Sequence, residues 1–556
     1  MSTPSARLPI IYVRGYAGGT SGIEKAVMDP FYGFNEGSTH IRIGRDDDPV
    51  FYQFESPLLR LHLDEGYHIF VEGGQGAYLE THDNIPPDSI WIHRFYDGSS
   101  GTWGAKPRQF DLEAAAADLL VLIERLQERT GAPRVHLVAH SMGGLICRCL
   151  LQKTIPDRRP GRRAGDYVSK LFTYGTPHGG ITFDVGFGIP EALRDTLNIN
   201  GADIFGPERM YQYLTPTARL DPDGPPKGWR AVDLPDDDGT GSAEEAAGSF
   251  PLERVFCLVG TDPTDYDVAH GLSAATVGPR SDGLVQIENA QVPGAHQAFV
   301  HRSHSGRYGL VNSEEGYQNL RRFLFGDLRI RADLVGLDLP ADDPEVSWQA
   351  EVRLAVRGLP VTMHERLAPH WCPIQLPSQP PGGNGIGNGN GNGDGNGNGR
   401  RNGGRYAATG TDGDANGDAN GDANGDGSVR LATTFLSSSL PRPDEAGPLR
   451  YALVLRVLSL HEHHGLFGFG DHLEQTADFS DSLIVDVDTS GPHPAAWARW
   501  NSEITGAIRD LHPEGTPLPD DAPAADAWIG HIPLPATAAP ILGRHAQVRL
   551  SVAPWN

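Results

Sequence analysis

Over residues 8–326 the chain alternates short apolar runs with segments whose apolar residues recur every three or four positions. Pro9 to Val13, Tyr67 to Val71, Ile90 to Phe95, Val135 to Ala139, Leu171 to Tyr174 and Val255 to Val259 are the runs, and each reads as a buried strand. Asp111 stands where it can cap a helix on which Leu112, Ala115, Ala116, Leu119, Ile123 and Leu126 form one stripe, ending at Thr130 and Gly131. Gly144 to Gln152 reads as a second helix. A third begins after Asn312 or Ser313, has Glu314 and Glu315 in its first turn, buries Tyr317, Leu320, Phe323 and Leu324, and stops at Gly326. Strands alternating with helices predict an α/β fold with a mostly parallel sheet covered on both faces.

From Leu328 onward the pattern shortens to alternating strands with almost no helix: Arg329 to Val335, Trp348 to Val356, Leu431 to Leu436, Tyr451 to Leu458, Ile484 to Val487 and Val548 to Val552. Turn residues such as Pro360 and Gly491 punctuate them. Period-two patterning of this kind predicts a C-terminal all-β, sandwich-like domain over 327–556. Within it, residues 382–428 hold 18 of the 69 glycines, ten Asn and six Asp, with no apolar periodicity. Such a segment cannot offset its ordering entropy by burial, so it reads as a disordered insert inside the β domain.

Composition narrows the partners. Acidic residues exceed basic ones, 71 to 46, for a formal net charge of −25. That balance argues against nucleic-acid binding, which needs clustered Lys and Arg, and against docking on anionic lipid. No apolar run approaches the ~18 residues of a membrane span, and the N-terminal stretch lacks the basic and apolar regions of a secretion signal. Cys147, Cys149, Cys257 and Cys372 are too few for a disulfide framework and read as buried thiols. The expectation is a cytoplasmic protein with no transmembrane segment. Its oligomeric state is left open.

The candidate chemistry centres on Ala139-His140-Ser141-Met142-Gly143-Gly144. An apolar strand runs directly into this segment and a helix leaves it, the setting of a nucleophile elbow. Small residues flank the serine because helix and strand must approach closely, which projects the Ser141 hydroxyl at the carboxyl end of the sheet.

Three further segments follow: Gly175-Thr176-Pro177-His178-Gly179-Gly180, Ser281-Asp282-Gly283-Leu284-Val285, and Ser303-His304-Ser305-Gly306. With the elbow, these four resemble, in order, the motifs of serine lipases and esterases of the α/β-hydrolase fold, over roughly residues 8–326. The resemblance implies a catalytic domain over 1–326, a Ser-Asp-His order of catalytic residues and no cofactor or metal. The chemistry agrees with it. A serine hydroxyl needs a neutral imidazole to take its proton, and an ionised carboxylate to orient that imidazole. His304 is assigned as base and Asp282 as acid. His301, at the end of an Ala298 to Val300 strand, competes for the base, and His178 does so less well because it precedes Asp282. Asp262, Asp265 and Asp267 compete for the acid.

An oxyanion hole requires two backbone N–H donors. Met142 supplies one, and the loop Arg14 to Gly19 after the first strand supplies the other, with Tyr16 as the choice. The family usually carries His before the loop glycine. This chain has Arg14, which serves either a carboxylate partner or a polar substrate group. Residues 181–253 are expected as a lid-like insertion, with short helices at Ile189 to Leu197 and Pro207 to Leu214, then an acidic loop at Asp236, Asp237 and Asp238. The alternative is a packed structural insertion.

Asp412 to Gly417 matches half of a calcium loop, but Ala423 stands where its last carboxylate belongs. His461 and His463 share a strand face without a further metal ligand in view. The reading that follows is a serine hydrolase of carboxylic esters, acyl-lipid or otherwise apolar, acting through an acyl-enzyme on a small-molecule or lipid ester. Acyl transfer or amide cleavage on the same triad are its alternatives. An inactive hydrolase fold used for binding is the alternative of another class.

Overall fold

A computed structural model describes residues 7–17, 20–35, 38–43, 49–54, 56–70, 74–102, 108–181, 202–265, 277–306, 309–340, 346–377, 427–438, 448–463, 472–491, 493–505, 515–523 and 527–555. Among these residues nine strands precede residue 301: β1 (Ile10–Val13), β2 (Ser38–Ile43), β3 (Pro49–Phe54), β4 (His68–Phe70), β5 (Ser89–Ile92), β6 (Val135–His140), β7 (Val168–Tyr174), β8 (Val255–Gly260) and β9 (His296–Val300). β2 and β3 form a separate antiparallel hairpin. The other seven make one sheet in the order β4-β5-β1-β6-β7-β8-β9, with every neighbouring pair parallel. β1 lies inside this sheet; the path then goes to the edge strand β4, returns inward to β5 beside β1, and continues on the other side from β6 out to β9. Loops leaving the carboxyl ends of β1 and β6 therefore diverge and open a crevice between them.

The helices follow the sequence signals. The helix Leu112–Thr130 starts where the Asp111 carboxylate accepts the Ala114 N–H at 2.7 Å and ends on Gly131 at φ 70°. The helix Glu314–Phe325 is capped by Ser313 Oγ, which accepts the Gly316 N–H at 3.0 Å. Their apolar stripes join the strands in one core on both faces of the sheet. Of the expected insertion, the helix at Ile189 to Leu197 lies outside the described residues. The second, Pro207–Leu214, is present and buries Met210, Tyr211, Tyr213 and Leu214.

Beyond Phe325 all strand pairing among the described residues is antiparallel. The strands are β10 (Leu328–Val335), β11 (Val346–Val356), β12 (Thr362–Arg366), β13 (Ile374–Leu376), β14 (Val429–Leu436), β15 (Leu449–His463), β16 (His472–Asp488), β17 (Ala495–Trp500), β18 (Trp528–Pro533) and β19 (Gln547–Pro554). One sheet runs β14-β10-β19-β18 and the other β12-β11-β15-β16-β17, with β13 on β11. Leu328, Ile330, Leu334, Val548 and Leu550 of the first sheet share one core with Val352, Leu354, Leu453, Leu455 and Val485 of the second. This is the layered arrangement expected of a sandwich. The expected disordered insert and the calcium-like loop fall almost wholly outside the described residues.

The β sandwich packs directly on the parallel sheet. Phe435 and Trp555 join the catalytic-side core beside Phe256 and Phe323, and the Trp555 indole N–H donates to the Phe323 carbonyl at 2.8 Å. Trp555 also lies under the ammonium of Lys170, which donates to the Phe323 and Leu324 carbonyls at the end of the last helix. No described helix is long and apolar enough to cross a membrane.

Candidate active site

β6 delivers Ser141 at the crevice. Pairing of Val13 with Ala139 aligns the ends of β1 and β6, so the loop after β1 runs beside the serine. Ser141 adopts φ 55°, ψ −130°, a conformation non-glycine residues rarely take and one that costs about 1–3 kcal/mol. Its backbone is held on both flanks. The Ser141 N–H donates to the Tyr174 carbonyl at 2.9 Å, and its own carbonyl accepts from Thr176 Oγ1 at 2.9 Å. The helix Met142–Cys149 leaves at once, two residues earlier than the Gly144 start read from sequence. That start is possible because a β carbon on Gly143 would stand 2.2 Å from the Val13 carbonyl oxygen, and one on Gly144 2.1 Å from Thr176 Oγ1.

Around the hydroxyl, three predicted residues converge. His304 Nε2 lies 2.9 Å from Ser141 Oγ, and His304 Nδ1 lies 2.8 Å from Asp282 Oδ2. The second Asp282 oxygen accepts the N–H groups of Val285 at 2.8 Å and Leu284 at 3.1 Å, which suits an ionised carboxylate. The His304 N–H donates to the Asp282 carbonyl at 2.8 Å, so acid and base are also tied through the main chain. All three side chains are buried, with Ser141 4% and Asp282 1% exposed.

The competing residues lie elsewhere. His301 places Nδ1 3.3 Å from Thr261 Oγ1 and stacks on His370. His178 is fully buried, with Nε2 3.2 Å from Thr173 Oγ1. Asp262 accepts from the Thr264 N–H and hydroxyl, Asp265 lies beside Asp262, and Asp267 lies outside the described residues. Met142 opens the helix after the serine, and Tyr16 follows Gly15, whose β carbon would stand 3.2 Å from Ser141 Oγ. The next N–H in that loop, Ala17, donates to the Tyr96 hydroxyl at 3.3 Å. Arg14 donates to the Tyr32 carbonyl at 2.7 Å and, with Gly15, Tyr16, Tyr32, His140 and Asn312, lines a cavity of about 360 Å³.

Two contributors escape sequence reasoning. His140 lies with Nε2 2.9 Å from the His304 carbonyl oxygen, a contact that requires the ring N–H to donate. Burial, and then the neighbouring His304, push the His140 imidazole down to about 3, so it stays neutral and fixed as that donor. Gly175, at φ 50°, leaves the space the acid needs: a β carbon there would stand 2.8 Å from Asp282 Oδ2 and 3.2 Å from His304 Nδ1.

The insertion is fastened to the same helix. Arg148, fully buried, donates to the carbonyls of His178 at 3.1 Å, Ala231 at 2.6 Å and Asp233 at 2.6 Å, and to Gln152 Oε1. In the acidic loop, Asp237 pairs with Arg163 and Asp236 accepts the Leu252 N–H. Among the described residues no three His, Cys, Asp or Glu side chains gather as a metal site, and all four cysteines are free and buried.

Comparison with known proteins gives a consistent picture. Residues 90–182, which include Ser141, match the family model of the alpha/beta hydrolase fold. Among solved structures, the chain is similar to the mature form of the Bacillus licheniformis lipase BlEst2, with 17% identity over 58% of this chain and 93% of that one, at a TM-score of 0.28. It is also similar to a gene product of Listeria innocua, with 14% identity over 57% of this chain and 94% of that one, at a TM-score of 0.24. No curated protein matches the chain. The strand order and the family model together identify the parallel-sheet part of this chain as an α/β-hydrolase fold.

Proposed function

We propose that this protein is a serine hydrolase that cleaves carboxylic esters through an acyl-enzyme. The observation that supports this most directly is the unbroken line of hydrogen bonds from Ser141 Oγ through His304 to Asp282, 2.9 and 2.8 Å long. His304 Nε2 takes the hydroxyl proton as Ser141 Oγ attacks the acyl carbon, and Asp282 holds the Nδ1–H tautomer and stabilises the imidazolium. The N–H groups of Met142 and Tyr16 receive the negative oxygen of the tetrahedral intermediate. His304 then gives its proton to the departing alkoxide, and a water attacks the acyl-enzyme by the same route in reverse.

The cavity that Arg14 lines is walled also by Tyr16, Tyr32, Phe34 and Lys25. The acidic whole-molecule charge favours a neutral ester over an anionic one. Residues 202–253, fastened through Arg148, are in this reading the described part of the lid-like insertion.

A fluorophosphonate probe tests the proposal. Covalent labelling of the intact protein, abolished by Ser141→Ala, is the expected result. Well-folded wild-type protein that does not label would point to a binding role instead. Parallel p-nitrophenyl ester and anilide series of increasing acyl length separate ester from amide cleavage and report the preferred chain.

A further inference from the structure

Resting on the reading above, we infer that one segment of the β sandwich, residues 363–372, positions the acid–base pair of the active site. The starting point is the edge of the parallel sheet. β9 has a strand partner on one side, β8, and an unpaired strand edge normally needs cover. Here β12 and the turn after it supply the cover. The Phe299 N–H of β9 donates to His364 Nδ1 at 3.3 Å, and the Arg366 guanidinium lies 4.5 Å over the Phe299 ring. Asn319, on the last helix of the hydrolase part, donates to the Met363 carbonyl at 2.9 Å.

The same segment reaches both loops that carry the pair. Cys372 is 3% exposed and packs in one small cluster with Val259, Val285, Ile287, Ala290 and Phe299. It is the sandwich's member of that cluster. Val285 is also the residue whose N–H holds Asp282 Oδ1 at 2.8 Å, so Cys372 forms part of the floor beneath the acid turn. On the base side, the His370 ring stacks on His301 at 3.7 Å and 5°. His301 follows β9 directly and lies three residues before His304. Arg366 Nε donates to the Cys372 carbonyl at 2.8 Å, which locks the turn that presents both His370 and Cys372.

None of these groups lies at Ser141 or along the loop Arg14 to Ala17. The segment therefore acts on the geometry between Asp282 and His304, not on the nucleophile or substrate cavity. Small displacements of a general base are costly, since a shift of about 1 Å lowers rates on the order of a hundredfold. His370 and Cys372 are positioning residues in this sense, and the sandwich is a working part of the hydrolase site.

The test compares Cys372→Ala, which empties the floor, with Cys372→Val, which refills it, and with Leu483→Ala, which opens a cavity in the sandwich core away from the interface. On the full-length chain, Cys372→Ala is expected to lower kcat on the order of tenfold with KM within about twofold. Cys372→Val should restore most of the loss, and Leu483→Ala should lower the melting temperature while leaving kcat unchanged. Equal kcat losses for Cys372→Ala and Leu483→Ala, or a loss carried by KM, would overturn the inference. A second readout does not need ester turnover: the far-downfield proton resonance of the His304 Nδ1–H bridged to Asp282. It should shift or vanish in Cys372→Ala and persist in the other two variants. An unchanged resonance in Cys372→Ala overturns the inference even if wild-type protein proves inactive on esters. Inactivity on esters alone would count only against the ester reading.

Discussion

Ser141 keeps its strained backbone because bonds from Tyr174, Thr176 and Gly144 restrain it from both sides, and that arrangement makes single-residue predictions sharp. Gly143→Ala places its new methyl against the Val13 carbonyl, main chain that cannot swing aside. Destabilisation of about 1–3 kcal/mol is expected in urea titrations, together with loss of fluorophosphonate labelling. Asp282→Asn keeps the size of the acid but offers His304 an amide in place of a carboxylate. Turnover should fall by roughly 10⁴-fold while the fold and KM are retained, as steady-state kinetics and circular dichroism would show. His140→Phe removes the donor to the His304 carbonyl while keeping an aromatic ring. A loss in kcat with little change in melting temperature would mark it as a residue that orients the base.

Among the elements, Arg148 is the clearest case of a side chain joining two pieces of chain. Its guanidinium serves three carbonyls from the loop after β7 and from the insertion. Arg148→Met fills the same space but leaves those carbonyls unpaired, at a cost of about 2–4 kcal/mol. Limited proteolysis should then cut within residues 220–250 sooner than in wild type. Most elements that locate the serine were legible beforehand, because each carries its own pattern: an apolar run before Ser141, a capped stripe at Leu112–Thr130, another at Glu314–Phe325. The helix start at Met142 was not, since a Gly-Gly pair reads locally as a turn and only contacts with Val13 and Thr176 reveal why the glycines are needed. β12 was missed for a related reason. Thr362–Arg366 has little apolar character of its own, and its extended form is set by β11 and by the edge of β9. In the site, the four motif segments named Ser141, Asp282 and His304. The bond from His140 to the His304 carbonyl spans 164 positions, and no local pattern announces it.

At the scale of the whole molecule, buried neutral histidines make stability sensitive to acid. Burial lowers His93 to about 4. Burial, reinforced by neighbouring positive charge, lowers His140, His296 and His364 to about 3. All four stand at 6.5 in the absence of these effects, so the unfolded chain binds more protons than the native one as pH falls. Their contribution is present in full above pH about 6.5 and is lost progressively toward 4 and below, by up to about 1.4 kcal/mol per pH unit for each histidine. Denaturant midpoints measured at pH 7.5, 6, 5 and 4 should therefore fall steeply over the lower three. A midpoint flat from pH 7.5 to 4 would count against this, since it requires native and unfolded states to bind equal numbers of protons.

The sandwich sheet that runs β14-β10-β19-β18 sets a condition on synthesis. Its first strand to be made, β10, is flanked by β14 and by β19, which are distant from it in sequence, and Trp555 just beyond β19 completes the aromatic cluster against Phe323. A nascent chain that has reached residue 546 holds Ser141, Asp282 and His304, yet β10 still exposes an edge and the parallel-sheet core still lacks Trp555. Folding of both parts thus waits until β19 and Trp555 have been made. Any message cut short before Gln547 yields an open sheet edge prone to pairing with other chains in place of a working enzyme.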